Sequence, residues 1–204
     1  MSIFPSLPEN HQLGDVFLRF PHSVLPLLEY HDRVLRDRSP LTVAERELIA
    51  AYVSGLNVCA YCHGAHILAA QAFGIDEAMF DGLMTDLSSS AVDEKLKPLL
   101  AYAGKLTLEP NKISSRDAQA VYEAGWDEEA LFSAISVAAL FNLMNRIVEG
   151  TGTRTDPLAQ SEEDRTARMA RMAAPLVDGD PRQAERSYSK LAAMWQKAAD
   201  NPTR

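Results

Sequence analysis

The chain is short of cysteine, of aromatic residues and of positive charge, and each shortage removes a class of function. Cys59 and Cys62 are its only cysteines among 204 residues, so no disulfide framework holds the fold, and a bridge across so short a loop would constrain the unfolded chain little. Lys and Arg number 20 against 28 Asp and Glu. That balance disfavours nucleic acid, whose binding depends on cations neutralising phosphates. No uninterrupted apolar run is long enough to cross a bilayer, and the Met1-Ser-Ile-Phe-Pro-Ser-Leu-Pro8 segment has neither the basic start nor the apolar stretch of a secretory signal. A cytoplasmic location is the expectation. No segment alternates with period two over a useful length, no internal repeat is evident, and no glycine-rich phosphate loop follows a strand. Nucleotide binding has no support, and nothing in the sequence calls for another cofactor.

What the chain does have is helical periodicity and enough apolar residues, 47%, to bury roughly 70% of its unfolded surface at this size. One all-α domain over 1–204 is expected, with a core at about 20–150 and a helical extension at about 160–204. Residues 1–13 read as an irregular arm whose Ile3, Phe4 and Leu7 can anchor to a neighbour. A helix is expected from Pro21 to about Arg36. Thr42 and Glu45 form a capping box ahead of a second helix to about Leu56, stopped by Gly55-Leu-Asn57. The next runs from about Cys59 to Phe73, closed by Gly74. A short helix from Asp76 to near Leu87, one from about Val92 to Leu106, one capped by Ser114 or Ser115 and stopped at Gly125, and a long apolar one from Asp127 through Glu149 follow. Two amphipathic helices at about 162–176 and 182–199 complete the pattern.

The chemistry concentrates in Cys59-Ala-Tyr-Cys62-His63-Gly-Ala-His66. Residues at i, i+3 and i+7 share one helix face, which aligns Cys59, Cys62 and His66, and the hairpin formed with the preceding helix brings Glu47 over that stripe. A thiol at a helix N-terminus is stabilised as the thiolate. A histidine one turn along can exchange its proton, and a carboxylate can orient the imidazole. Disulfide closure within a first helical turn needs that turn to adjust, which suits a bond that forms and breaks in turnover.

Glu47, eleven intervening residues, Cys59-x-x-Cys62, then three intervening residues and His66 resemble the motif of the alkylhydroperoxidase D (AhpD-like) family within the carboxymuconolactone decarboxylase superfamily. The Cys-x-Tyr-Cys-x-x-Ala-His form is similar to its peroxidase-related branch. The resemblance implies an oligomeric helical bundle with a catalytic hairpin, often a trimer or hexamer. It also implies hydroperoxide reduction with a dithiol donor of lipoyl or thioredoxin type. Carried over, Cys62 attacks the peroxide and becomes a sulfenic acid, Cys59 donates a proton and then resolves it as a disulfide, and Glu47 with His66 forms the proton relay. Tyr61 stands where the best-known hydroperoxidases of the family carry a histidine, which bears on the relay and on the choice of substrate.

Other readings stand beside this one. Helix-terminus physics favours the more N-terminal, more exposed Cys59 as attacker, whereas proximity to His66 favours Cys62. Cys59, Cys62 and His66 with Glu47 or His63 are a conceivable zinc set, though no second ligand pair exists elsewhere in the sequence. A decarboxylase or lactone-processing enzyme of the same superfamily would not need the thiols. His63 reads as a rim residue, and His11, His22 and His31 as surface or packing residues. The polar stripe Asn142, Asn145, Arg146 and Glu149 either lines the pocket or bonds within itself.

Overall fold

The computed structural model describes residues 3–200 and is all-α, its one extended feature among them an isolated bridge between Leu176 and Ala184. The described helices are α1 Leu13–Arg19, α2 Val24–Leu35, α3 Val43–Leu56, α4 Ala60–Ala72, α5 Lys97–Leu108, α6 Ser115–Glu123, α7 Glu128–Thr151, α8 Glu162–Met172 and α9 Ser187–Asp200. Short 3-10 turns sit between several of them.

Local chemistry starts and stops these helices largely as expected. The Glu45 amide donates to Thr42 Oγ1 at 3.2 Å and the Thr42 amide to Glu45 Oε2 at 2.6 Å, which is the capping box that opens α3. Asp127 caps α7 through the Ala130 amide at 2.8 Å. Gly74, Gly125 and Gly152 take positive φ just past α4, α6 and α7, where a Cβ would be penalised.

The junction between α3 and α4 differs from expectation. Asn57 ends α3, and Val58, at φ 56°, takes the left-handed position usually held by glycine. The Val58 amide donates to Gly55 O and the Cys59 amide to Ser54 O, completing a Schellman turn without a glycine. Cys59 is thereby both the residue after one helix and the N-cap of the next. Gly55 serves close packing instead, because a Cβ there would come within 2.6 Å of the Met84 sulfur and 2.9 Å of His63 Nδ1.

Three further expectations are corrected. The Asp76 segment forms only a 3-10 turn over Glu77–Phe80, since Gly82 at φ 74° and the Asp86–Ser88–Ser89 hydrogen bonds favour turns. The helix expected from Val92 begins at Lys97, with Pro98 in its first turn, where a missing amide costs nothing. Helix α1 was absent from the reading because a seven-residue helix capped by Gln12 carries little periodic signal. The arm before it folds onto its own chain, with the Phe4 ring 5.3 Å from that of Phe20 and Ile3 beside Gly152.

The α3–α4 hairpin and α7 form the centre, with α2, α5 and α6 around α7, α8 against α4, and α9 against α2. Leu35, Leu48, Ile49, Val53, Leu99, Leu100 and Phe141 are almost fully buried between them. Each such side chain contributes about 1.5–3 kcal/mol by burial. Helix α7 has the length and mean hydropathy of a helix that could cross a bilayer, although polar and charged residues interrupt it, and half of its most apolar stretch is buried inside the protein. Its central position in the bundle accounts for that composition.

Candidate active site

The site grows from the inward face of α3. Glu47 lies one turn past the capping box with none of its surface exposed, not on the solvated face where an isolated helix carboxylate usually sits. Its two oxygens are taken by different donors. Arg36 Nη1, from the residue that ends α2, donates to Oε1 at 2.5 Å, and His66 Nδ1–H donates to Oε2 at 2.5 Å. Burial alone would raise the Glu47 carboxyl, but Arg36 and His66 outweigh it and hold the group down at about 2. The carboxylate is therefore ionised, and its bond to Nδ1 leaves Nε2 of His66 as the nitrogen able to exchange protons.

Arg36 is itself fixed, its guanidinium lying 5.0 Å from the Phe73 ring and 5.3 Å from that of Tyr188. His66 meets the ring of Phe141 edge-on, with centroids 4.3 Å apart. Asp32, fully buried, accepts from the Tyr188 and Ser189 amides at 3.1 and 2.6 Å and so pins the start of α9 over the site.

Both cysteines are free thiols, and both are buried, so the greater exposure expected of Cys59 is corrected: Cys59 has none and Cys62 very little. The Cys62 thiol, hydrogen-bonded to Cys59, lowers Cys59 against the opposing effect of burial. The same bond, together with burial, pushes Cys62 up. Cys59 is thus the sulfur on which negative charge settles, and Cys62 holds the proton between them. Access runs the other way. A cavity of about 250 Å³ is lined by Cys62, His66 and Tyr61 but not by Cys59.

Asn145 lies next to Cys62, its amide donating to Ser54 Oγ and its oxygen accepting from Asn57. Asn142 and Arg146 instead bond to each other, and Glu149, whose charge reaches Cys59, pairs with Arg154. No member of the α7 polar stripe lines the cavity, and Asn145 reaches the site only through Cys62. His63 Nδ1–H donates to Ala51 O at 2.8 Å and does not line the cavity. His31 does, packed 5.0 Å from the Tyr188 ring with Nδ1–H on Leu27 O, and burial lowers it to about 4, which keeps it neutral. Among the described residues no three His, Cys, Asp or Glu side chains come together in a metal-holding group. Glu47 and His66 are already engaged with each other.

The rest of the cavity wall comes from α1, α2, α7, α8 and α9, of which the sequence pattern connects only α7 with the pocket, and by its polar rather than its apolar residues. Phe17 of α1, Leu28 of α2, Phe141 and Met144 of α7, Arg168 and Met172 of α8, and Tyr188, Leu191 and Trp195 of α9 enclose it. Arg36, Arg168 and Tyr188 carry no motif spacing to the cysteines. Only the hydrophobic face of α9 hinted that something packs there.

The carboxymuconolactone decarboxylase family model matches residues 26–103, which contain Glu47, Cys59, Cys62 and His66. No curated protein sequence matches the chain. An uncharacterized peroxidase-related protein from Silicibacter sp. TM1040 is similar in structure, with a TM-score of 0.59 and 25% identity over 63% of this chain and 68% of that one. A second, described as an alkylhydroperoxidase AhpD core and uncharacterized peroxidase-related protein from Ralstonia eutropha JMP134, shares the fold with a TM-score of 0.66. The two are 23% identical over 74% of this chain and 76% of that one.

Proposed function

We propose that this chain, an AhpD-like member of the carboxymuconolactone decarboxylase superfamily, is a thiol-dependent peroxidase working through Cys62 and Cys59. The observation that carries the reading is the cavity that ends on Cys62 and His66 while Glu47 and Arg36 hold the imidazole from behind. When the pair loses a proton the charge falls on Cys59, whose ionisation the Cys62 thiol favours, and Cys62 keeps its proton. Transfer of that proton to Cys59 frees a Cys62 thiolate facing the cavity. The thiolate attacks the distal peroxide oxygen, the O–O bond breaks, Cys62 becomes a sulfenic acid, and the alkoxide leaves as an alcohol with a proton delivered from Cys59 or His66. The Cys59 thiolate then attacks the sulfenic sulfur, the S–O bond breaks, and the hydroxyl leaves as water with a proton taken from solvent through His66, forming the disulfide.

A dithiol returns the pair to the reduced state, its two electrons passing to the disulfide by thiol exchange. Reduced lipoyl groups or a thioredoxin-type protein have the right chemistry, and a reducing cytoplasm is the compartment that keeps such a pair turning over. Assembly into trimers or hexamers belongs to the same proposal, and a light-scattering mass equal to one chain would count against it.

The test is peroxide consumption with dihydrolipoamide or a thioredoxin system as donor. Activity should vanish in Cys62→Ala and fall strongly in His66→Ala and Glu47→Gln. Undiminished turnover in Cys62→Ala overturns the proposal, and activity on another substrate that survives alkylation of both thiols would point to the cysteine-independent chemistry of the superfamily.

A further inference from the structure

Arg168 is the one permanently charged side chain in the wall of the Cys62 cavity. No Asp or Glu lines that cavity, and the other titratable groups facing it are Tyr61, Cys62, Tyr188 and two histidines, one of them neutral by burial. The guanidinium lies over the Tyr61 ring, 5.6 Å from its centroid, and Nε is sealed from solvent without a hydrogen-bond partner. Arg36 and Arg165 also leave Nε unbonded, but each pairs with a carboxylate, Glu47 and Glu162, and Arg46 has the carbonyls of Val34, Asp37 and Arg182. Arg168 has the Tyr61 ring, and the cavity wall beside it holds no carboxylate. A cation so placed is stabilised by an anion arriving with the ligand, and a planar fork of N–H donors matches a carboxylate.

We propose that the cavity takes a hydroperoxide whose apolar body carries a carboxylate, with Arg168 as the anchor for the carboxylate and Cys62 facing the peroxide group. The proposal rests on the peroxidase reading for its reactive end, and on Arg168 alone for its anionic end. The apolar body would lie against Phe17, Leu28, Phe141, Met144, Leu191 and Trp195, and the volume of 250 Å³ holds about eight groups of water size. This gives α8 and α9, which lie outside the segment matched by the family model, a specific task. They supply the anchor and the roof that select the substrate, while the hairpin supplies the chemistry. Tyr61, where the sequence departs from the best-known hydroperoxidases, becomes the platform on which Arg168 rests.

Two matched pairs of probes test the two ends separately. For turnover, cumene hydroperoxide is compared with its 4-carboxy derivative. The kcat/KM ratio should favour the carboxylate in the native chain, and that ratio should fall about tenfold in Arg168→Gln, as expected for loss of one charge-assisted hydrogen-bonded contact. It should be largely retained in Arg168→Lys. For binding without reaction, 4-isopropylbenzoate is compared with isopropylbenzene by quenching of Trp195 fluorescence, with the same dependence on Arg168. Equal ratios in the native chain and Arg168→Gln, or equal binding of the charged and neutral probes, overturn the anchor. Arg168-dependent binding of the benzoate without turnover of either peroxide would leave the anion site standing and remove the peroxidase reading instead.

Discussion

Glu47 Oε2 and His66 Nδ1 meet at 2.5 Å with both side chains buried, although nineteen positions separate them along the chain. Arg36 occupies the other carboxylate oxygen, so three helices converge on one carboxyl group. The imidazole is oriented by a carboxyl group that Arg36 and His66 hold well below the usual carboxylate range.

Glu47→Gln should therefore damage both stability and turnover. A glutamine offers one acceptor oxygen for two donors, and its amide would face either the Arg36 or the His66 N–H. Loss of one member of a buried charged pair costs on the order of 3 kcal/mol. Removal of an orienting group from a proton relay costs about 10²-fold or more in rate. Urea unfolding midpoints and single-turnover peroxide reduction measure the two effects independently, and an unchanged midpoint would mean that Arg36 finds another partner.

Stability should decline in two stages as the pH falls. His31 is depressed to about 4 from an ordinary value near 6.5, and Glu47 to about 2 from 4.5. In both cases the unfolded chain binds the proton more readily, so the stabilisation is complete above the unfolded value and is lost on the way down to the folded one. The His31 share disappears between about pH 6.5 and 4, and the Glu47 share between about 4.5 and 2. Chemical denaturation across this range should show the first stage flattened in His31→Gln, and an identical slope in that variant would contradict the neutral, buried imidazole.

Thiolate absorbance should titrate in an order opposite to the order of reactivity. Cys59 ionises first because the Cys62 thiol donates to it, and Cys62 is held protonated by that bond and by burial. Cys62→Ser should leave a Cys59 ionising with an altered midpoint, and Cys62→Ala should move it upward. Cys59→Ser should bring Cys62 down toward the ordinary thiol range. In that last variant a dimedone adduct should form on Cys62 after peroxide treatment, and an adduct only on Cys59 in the Cys62 variants would reverse the roles.

Val58 is 84% exposed and sits at φ 56°. The left-handed region costs a residue with a Cβ roughly 1–2 kcal/mol, and the side chain gains nothing from burial to offset it. Val58→Gly should raise stability by about 0.5–1 kcal/mol after the added freedom of the unfolded chain is counted. A lowered urea midpoint would show that the Val58 side chain stabilises the protein in some other way. If the strained turn also tunes the position of Cys59, the same variant should slow disulfide closure while leaving the attack on peroxide intact, which stopped-flow detection of the second step would resolve.

The hairpin was legible because its determinants are local. Thr42 and Glu45 cap one helix across three residues, Asp127 caps another, and Gly74, Gly125 and Gly152 stand where helices must turn out of the right-handed conformation. The i, i+3, i+7 spacing of Cys59, Cys62 and His66 needs nothing beyond helical geometry. Over residues 76–96 the reading was less successful, because turns closed by aspartate, serine and Gly82 competed with helical periodicity and won.

The sequence by itself determined the helical class, the Cys59/Cys62 pair with its histidine, and the alignment of Glu47 with that stripe. Each follows from the fixed rise and twist of a helix and from residues a few positions apart. Only the tertiary structure decided which cation holds Glu47, which sulfur faces the cavity, which of the two thiols keeps the proton, and that Arg168 and Trp195 belong to the site at all. Those outcomes depend on burial and on contacts between helices, from the eleven positions between Arg36 and Glu47 to more than a hundred between Cys62 and Arg168, where desolvation and a neighbouring charge set the state of a group. Spacing along the chain carries no trace of either.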